Sequence, residues 1–174
     1  MDQKKSLLKQ TQQKLSNGEA TNPINVVVES ENQGGFHTKI LIRDHEILSD
    51  QPFGFSGQNK GPKPSELVLA ALAACQETTY RIFAEDMGIN IDKIAVRLRG
   101  SQDLRGFMAL DDEIPAGFAF IEGKVFIQSE ASDEELKLLQ RRVDQHCPVL
   151  DDLKRPVDVS ISIEKCSFER QPFE

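Results

Sequence analysis

The sequence predicts an α+β fold in which antiparallel sheet covers two helices, and three patterns carry that expectation. Several short segments alternate apolar and polar residues, as half-buried strands do. A long helical pattern begins with a run that is apolar on every face. A second helical pattern is amphipathic and opens with a capping signature. The resulting order is β-β-α-β-β-α-β, and each helical pattern carries one cysteine, Cys75 or Cys147.

From the start of the chain, residues 1–22 are rich in Lys and Gln, with Leu7, Leu8 and Leu15 as sparse apolar positions. They predict an N-terminal arm or short helix, followed by a single domain over 23–174. Residues 25–31 and 36–43 read as strands joined by the turn Asn32-Gln33-Gly34-Gly35. Residues 44–64, with three Pro and three Gly, read as a long loop, a kind of segment that is often functional. Residues 64–87 read as one helix. Pro64 suits its first position, Glu66 complements the dipole in the first turn, and Gly88 closes the end. Its first half, 67–75, is apolar all round and is expected to be buried on all sides, with Cys75 deep in the helix.

The alternation at 94–99 predicts a strand, and 119–128 a strand or a hairpin around Gly123. Ser132 to Glu135 form a capping box that opens a helix over 132–146. Leu136, Leu139 and Val143 form its apolar stripe, and Cys147 falls on the same face. Pro148 ends this helix and can open a short turn over 149–153. Val157, Val159, Ile161 and Ile163 alternate with polar residues and predict a half-buried antiparallel strand.

Composition narrows the function classes. The 174 residues are 39% hydrophobic and 28% charged, which fits a globular domain. A net charge of −7 argues against nucleic acid or an anionic membrane as a partner, because binding phosphate needs a basic face. No apolar run approaches the roughly 20 residues that span a bilayer. The N-terminal residues carry no secretory signal pattern, so a reduced, cytoplasmic setting is expected for the three cysteines.

Cys75 and Cys147 lie 72 residues apart in sequence, as 147 − 75, and only the fold can bring them together. A mid-helix cysteine is most often a small buried hydrophobe, inert unless a cation stabilises its thiolate. An Arg from elsewhere would have to supply that charge. Cys147 precedes Pro148 and can cap the turn after it, where backbone donors favour an anion. Cys166 has the parity of the polar face of its strand and is expected to have no role. A metal site is a weak reading: there is no CxxC or HxxxH, and His146-Cys147 places adjacent residues rather than a ligand face.

Two motifs together carry a family likeness over about residues 25–165. Gly61-Pro62-Lys63-Pro64-Ser65-Glu66-Leu67, running into Leu69-Ala70-Ala71-Leu72-Ala73-Ala74-Cys75, is similar to the first motif of the OsmC/Ohr family. Cys147-Pro148-Val149 resembles its second. Arg43-Asp44-His45 and Asp50-Gln51-Pro52 resemble the OsmC-like branch of that family. The chain departs from the best-characterised members at Phe36, Ser65 and Leu150-Asp151.

The resemblance implies an intertwined homodimer with the two cysteine-bearing helices at its centre and each active site at the subunit interface. It also implies a thiol peroxidase that reduces organic hydroperoxides. Cys75 would be the peroxidatic cysteine and Cys147 the resolving one. Arg43 would stabilise the thiolate, from its own or the partner subunit, and Glu66 would orient that Arg. No bound cofactor or metal is implied. The partners would be an external dithiol reductant and a small apolar hydroperoxide. The alternative is a binding protein of the same fold that holds an apolar ligand with little or no turnover.

Overall fold

The computed structural model describes residues 7–19 and 23–165. It comprises two compact units. One takes residues 24–67 and the chain from 154 onward; the other takes residues up to 23 and 68–153.

The first unit is built on a three-stranded antiparallel sheet of order β1 (Glu29–Asn32), β2 (Thr38–Ile42), β3 (His45–Ser49). The predicted turn joins β1 to β2. Gly34 and Gly35 take positive φ there, at 108° and 56°, and the Asn32 side chain bonds to Gly34 N–H and the Gly35 carbonyl. The strand expected from residue 25 begins only at Glu29. Residues 24–28 are exposed and carry no strand pairing, although three of them are Val.

The long loop expected over 44–64 is corrected by β3, which pairs Ile47 with Ile40 and His45 with Ile42. Arg43 thus sits in a tight hairpin turn, exposed and at φ 54°, rather than at the mouth of a long loop. The loop proper begins at Asp50. A short 3-10 turn, Phe53–Phe55, lies within it, and it folds back so that the Asp50 carboxylate accepts from the N–H groups of Gln51, Gln58 and Lys60. Gly57 and Gly61 run against the backbone of Gln51 and Leu48, where a Cβ would clash.

The second unit packs helices against a two-stranded sheet. The exposed helix α1 (Leu7–Ser16) is followed by α2 (Pro64–Met87), whose bounds match the Pro64 start and Gly88 stop. Then come β4 (Lys93–Gln102), a single-turn helix α3 (Leu104–Phe107), β5 (Phe118–Gln128), α4 (Asp133–His146) and α5 (Pro148–Lys154). β4 and β5 pair antiparallel along their length. β5 is one continuous strand, not a hairpin around Gly123. Gly123 pairs with Leu98 and fits closely against Arg97 and Leu98, so it serves a close approach rather than a turn.

The core of this unit joins Tyr80, Phe83 and Ala84 of α2, Ile89 and Ile91 of the following turn, and Leu139, Val143 and Cys147. Ile94, Val125 and Ile127 pack on it from the inward face of the sheet. Leu139 and Val143 are completely buried, and each contributes about 1.5–3 kcal/mol by leaving water.

Two burial expectations are corrected. Within 67–75 only Leu72 is buried, Val68 is 38% exposed and Cys75 is partly exposed. A single chain leaves much of that apolar run uncovered. Residues 156–165 form no strand, and Ile161 and Ile163 are 91% and 100% exposed. Their alternation is that of a strand, but among the described residues they have no ladder partner. Cys166 lies outside the described residues.

Candidate active site

Cys75 sits three turns into α2, and Cys147 is the single residue between α4 and α5. Two features place Cys147. The ring of Pro148 forbids continuation of α4 and holds the preceding residue extended, at φ −76° and ψ 113°. Pro148 then opens α5 as its first residue. The Cys147 N–H still donates to the Val143 carbonyl at 2.9 Å, and its carbonyl accepts from Asp151 N–H at 3.0 Å. The cysteine is therefore pinned by both helices.

At its start, α4 is set by the predicted capping box between Ser132 and Glu135. Further along, α4 is held on α2 by more than apolar contact. Arg142 lies over the Phe83 ring at 5.3 Å and reaches Asp86, which also pairs with Lys9 of α1. His146 packs on Phe83 with ring centroids 5.3 Å apart.

This packing brings the two cysteines together. The Cys147 thiol donates to Cys75 Sγ across 3.3 Å, and both are free thiols. A disulfide bond is about 2.05 Å long, so a shift of little more than 1 Å would join them. Their settings differ. Cys147 is only 1% exposed, while Cys75 is partly open to the surface. Burial pushes the Cys147 thiol above its ordinary value; the backbone at Leu150 and the Thr79 hydroxyl pull the other way and are outweighed. Cys147 is thus held as a thiol at neutral pH.

Thr79 and Leu150 went unmarked in the sequence. Thr79 stands one helical turn after Cys75 and donates from Oγ1 to the Cys75 carbonyl at 2.7 Å. Its spacing of four from a cysteine was the available signal.

Among the described residues Glu66 forms no ion pair with an arginine. It is exposed, and its carboxylate accepts from Lys63 N–H at 3.0 Å, which caps the first turn of α2. No ion pair joins it to Arg43 among the described residues. No group of three or more His, Cys, Asp or Glu able to hold a metal occurs among them either. No helix there is long and apolar enough to cross a membrane.

Comparison with known proteins agrees with this architecture. The family model described as OsmC-like protein matches residues 57–162, more than half of the chain, and the protein belongs to that family. Solved structures share the fold. An OsmC-like protein from Mycoplasma pneumoniae superposes with a TM-score of 0.68 at 22% identity, over 76% of this chain and 89% of that one. The organic hydroperoxide resistance protein OsmC of Legionella pneumophila gives 0.60 at 16% identity, over 79% and 95%. The organic hydroperoxide resistance protein OhrB of Bacillus subtilis gives 0.52 at 21%, over 78% and 94%. No curated protein matches the chain.

Proposed function

We propose that this protein is a thiol peroxidase that reduces organic hydroperoxides, with Cys75 peroxidatic and Cys147 resolving. The observation that carries the reading is the 3.3 Å contact between a partly exposed cysteine of α2 and a buried one at the junction of α4 and α5, far apart in sequence. The Cys75 thiolate attacks the distal peroxide oxygen and the O–O bond breaks. The alkoxide leaves, takes a proton and departs as the alcohol. Cys75 is left as a sulfenic acid. Cys147 attacks that sulfur, the S–O bond breaks, and hydroxide leaves as water once protonated. A dithiol reductant then returns the disulfide to two thiols by exchange. Burial of Cys147 keeps it from meeting peroxide itself, so the order of events follows from exposure.

The active form is proposed to be a homodimer. The exposed apolar residues of α2 and of segments 24–28 and 156–165 are the surfaces a second copy would cover. In that assembly Arg43, exposed in its hairpin turn, is the proposed cation for the Cys75 thiolate. Arg43→Ala should then slow alkylation of Cys75 at neutral pH, and an unchanged rate would remove Arg43 from the site.

The reading is tested by following hydroperoxide consumption with a dithiol present. Cys75→Ser is expected to abolish it. Cys147→Ser should allow one oxidation per site and then stall. Equal turnover in Cys75→Ser and the parent protein would overturn the assignment. The capping role of Glu66, which leaves it unpaired with Arg43, favours the second reading: a binding protein for an apolar ligand. Under that reading Cys75 reacts slowly with hydroperoxide and the dimer is unchanged.

A further inference from the structure

β4 and β5 turn one face to the core and the other to solvent. The register puts five pairs on the solvent face: Lys93 with Gln128, Ala95 with Phe126, Arg97 with Lys124, Arg99 with Glu122, and Ser101 with Phe120. These residues include four cations and one carboxylate, a local +3 on a chain of net −7. The rest of the chain therefore carries −10, as −7 less +3. We propose that this face is a docking surface for an extended acidic segment of a partner protein, one that also carries an apolar side chain.

Arg97 and Lys124 stand directly opposite each other, an arrangement that destabilises a sheet. The next pair shows the stabilising alternative, since Arg99 is ion-paired with Glu122. Among the described residues Lys93, Arg97 and Lys124 have no acidic partner. An anion from outside turns that repulsion into a binding site. The arginines are prepared for one: Arg97 lies over the Phe126 ring at 6.0 Å and Arg99 over Phe120 at 5.6 Å. A guanidinium resting on an aromatic ring has less freedom to lose when it takes a carboxylate. Phe120 and Phe126 are 47% and 50% exposed, and aromatic residues with Arg are enriched at protein interfaces. A cavity of about 500 Å3 at the Lys93 end is lined by Lys93, Ala95 and Phe126 of this face together with Arg81 and Ile94. Its acid, Asp92, already accepts from Asn90 at 2.7 Å. That mix of apolar and cationic lining suits an apolar side chain next to a carboxylate. Nucleic acid fits less well. From residue 93 to 101 the face is about 27 Å long, and a phosphate chain carries its charge past the patch into the acidic remainder. A peptide can confine its carboxylates to the patch.

The test titrates a fluorescein-labelled peptide alternating Glu and Leu with the full chain and reads anisotropy. Saturable binding that weakens with added salt is expected. Lys124→Glu should weaken binding about tenfold and raise the melting temperature, because the variant gains a cross-strand pair with Arg97. Phe126→Ala should also weaken binding. Lys137→Gln with Lys154→Gln makes the same change in net charge at exposed positions on α4 and α5 and should leave binding unchanged. Absence of saturable binding, equal affinity for the matching Gln and Leu peptide, or undiminished binding by Lys124→Glu would overturn the proposal. A melting temperature lowered by Lys124→Glu would show that the cation pair serves the fold, and would overturn it as well. Tighter binding of an oligothymidylate than of the acidic peptide would give the face to nucleic acid instead.

Discussion

Exposure separates the two cysteines more sharply than their neighbours in sequence do. Cys147 was legible from its Pro148 and from its register with Leu136, Leu139 and Val143. Cys75 was legible from its motif, but its partial exposure was not, because an all-apolar run reads as interior wherever it lies. Residue-scale stability is most exposed at Leu139. Leu139→Ala should cost about 2–5 kcal/mol, read by denaturant unfolding, since the side chain is wholly enclosed. Tyr80 gives a pH signature. Burial, with Asp144 nearby, pushes its hydroxyl from 10.0 to about 12. The folded state therefore holds this proton more tightly than the unfolded chain. That contribution is complete below pH 10.0 and is lost as pH rises through about 12. Tyr80→Phe should remove this alkaline limb from the stability profile, and an identical limb in the variant would assign it elsewhere.

Among the elements, the two long helices were legible almost to the residue because their signals are local. Pro64, Gly88 and the Ser132 capping box mark ends without reference to the rest of the chain. β3 was not legible. His45–Ser49 is short, sits beside a Gly/Pro cluster, and is a strand only because β2 offers it a ladder. Residues 156–165 are the converse case, a strand pattern that finds no ladder among the described residues. The loop after β3 is organised by Asp50. Burial alone would raise its carboxyl, but the N–H groups of Lys60, Gln51 and Gln58 outweigh that and, with His37, hold it below 3.8. A carboxyl depressed in the folded state stabilises above the unfolded value. That stabilisation fades as pH falls through the folded one. Asp50→Asn should lower the melting temperature at neutral pH and flatten the acid limb of the stability profile below pH 3.8. Equal acid sensitivity in both proteins would show that the loop is held by something else.

At the scale of the whole molecule, the uncovered apolar surface is the dominant feature. Ile161 and Ile163 are almost fully open in one chain, and Ile24, Val26, Val27 and Val28 are exposed as well. Isolated exposed apolar residues are ordinary, but contiguous strand-like ones mark an interface. Light scattering at micromolar concentration should therefore find a dimer. Ile161→Asp with Ile163→Asp should shift it toward monomer while each subunit keeps its helical signal. A monomeric parent protein would contradict the proposed assembly and, with it, an arginine supplied by the partner subunit.

The central claim is that Cys75 and Cys147 act as one redox pair toward a peroxide. Counting free thiols in the Cys166→Ser protein before and after one equivalent of an organic hydroperoxide tests it most directly. The account predicts that two thiols per chain disappear, that a dithiol restores both, and that an intramolecular Cys75–Cys147 disulfide is found by peptide mapping. An unchanged thiol count, or oxidation of Cys75 alone with Cys147 still free, would contradict it.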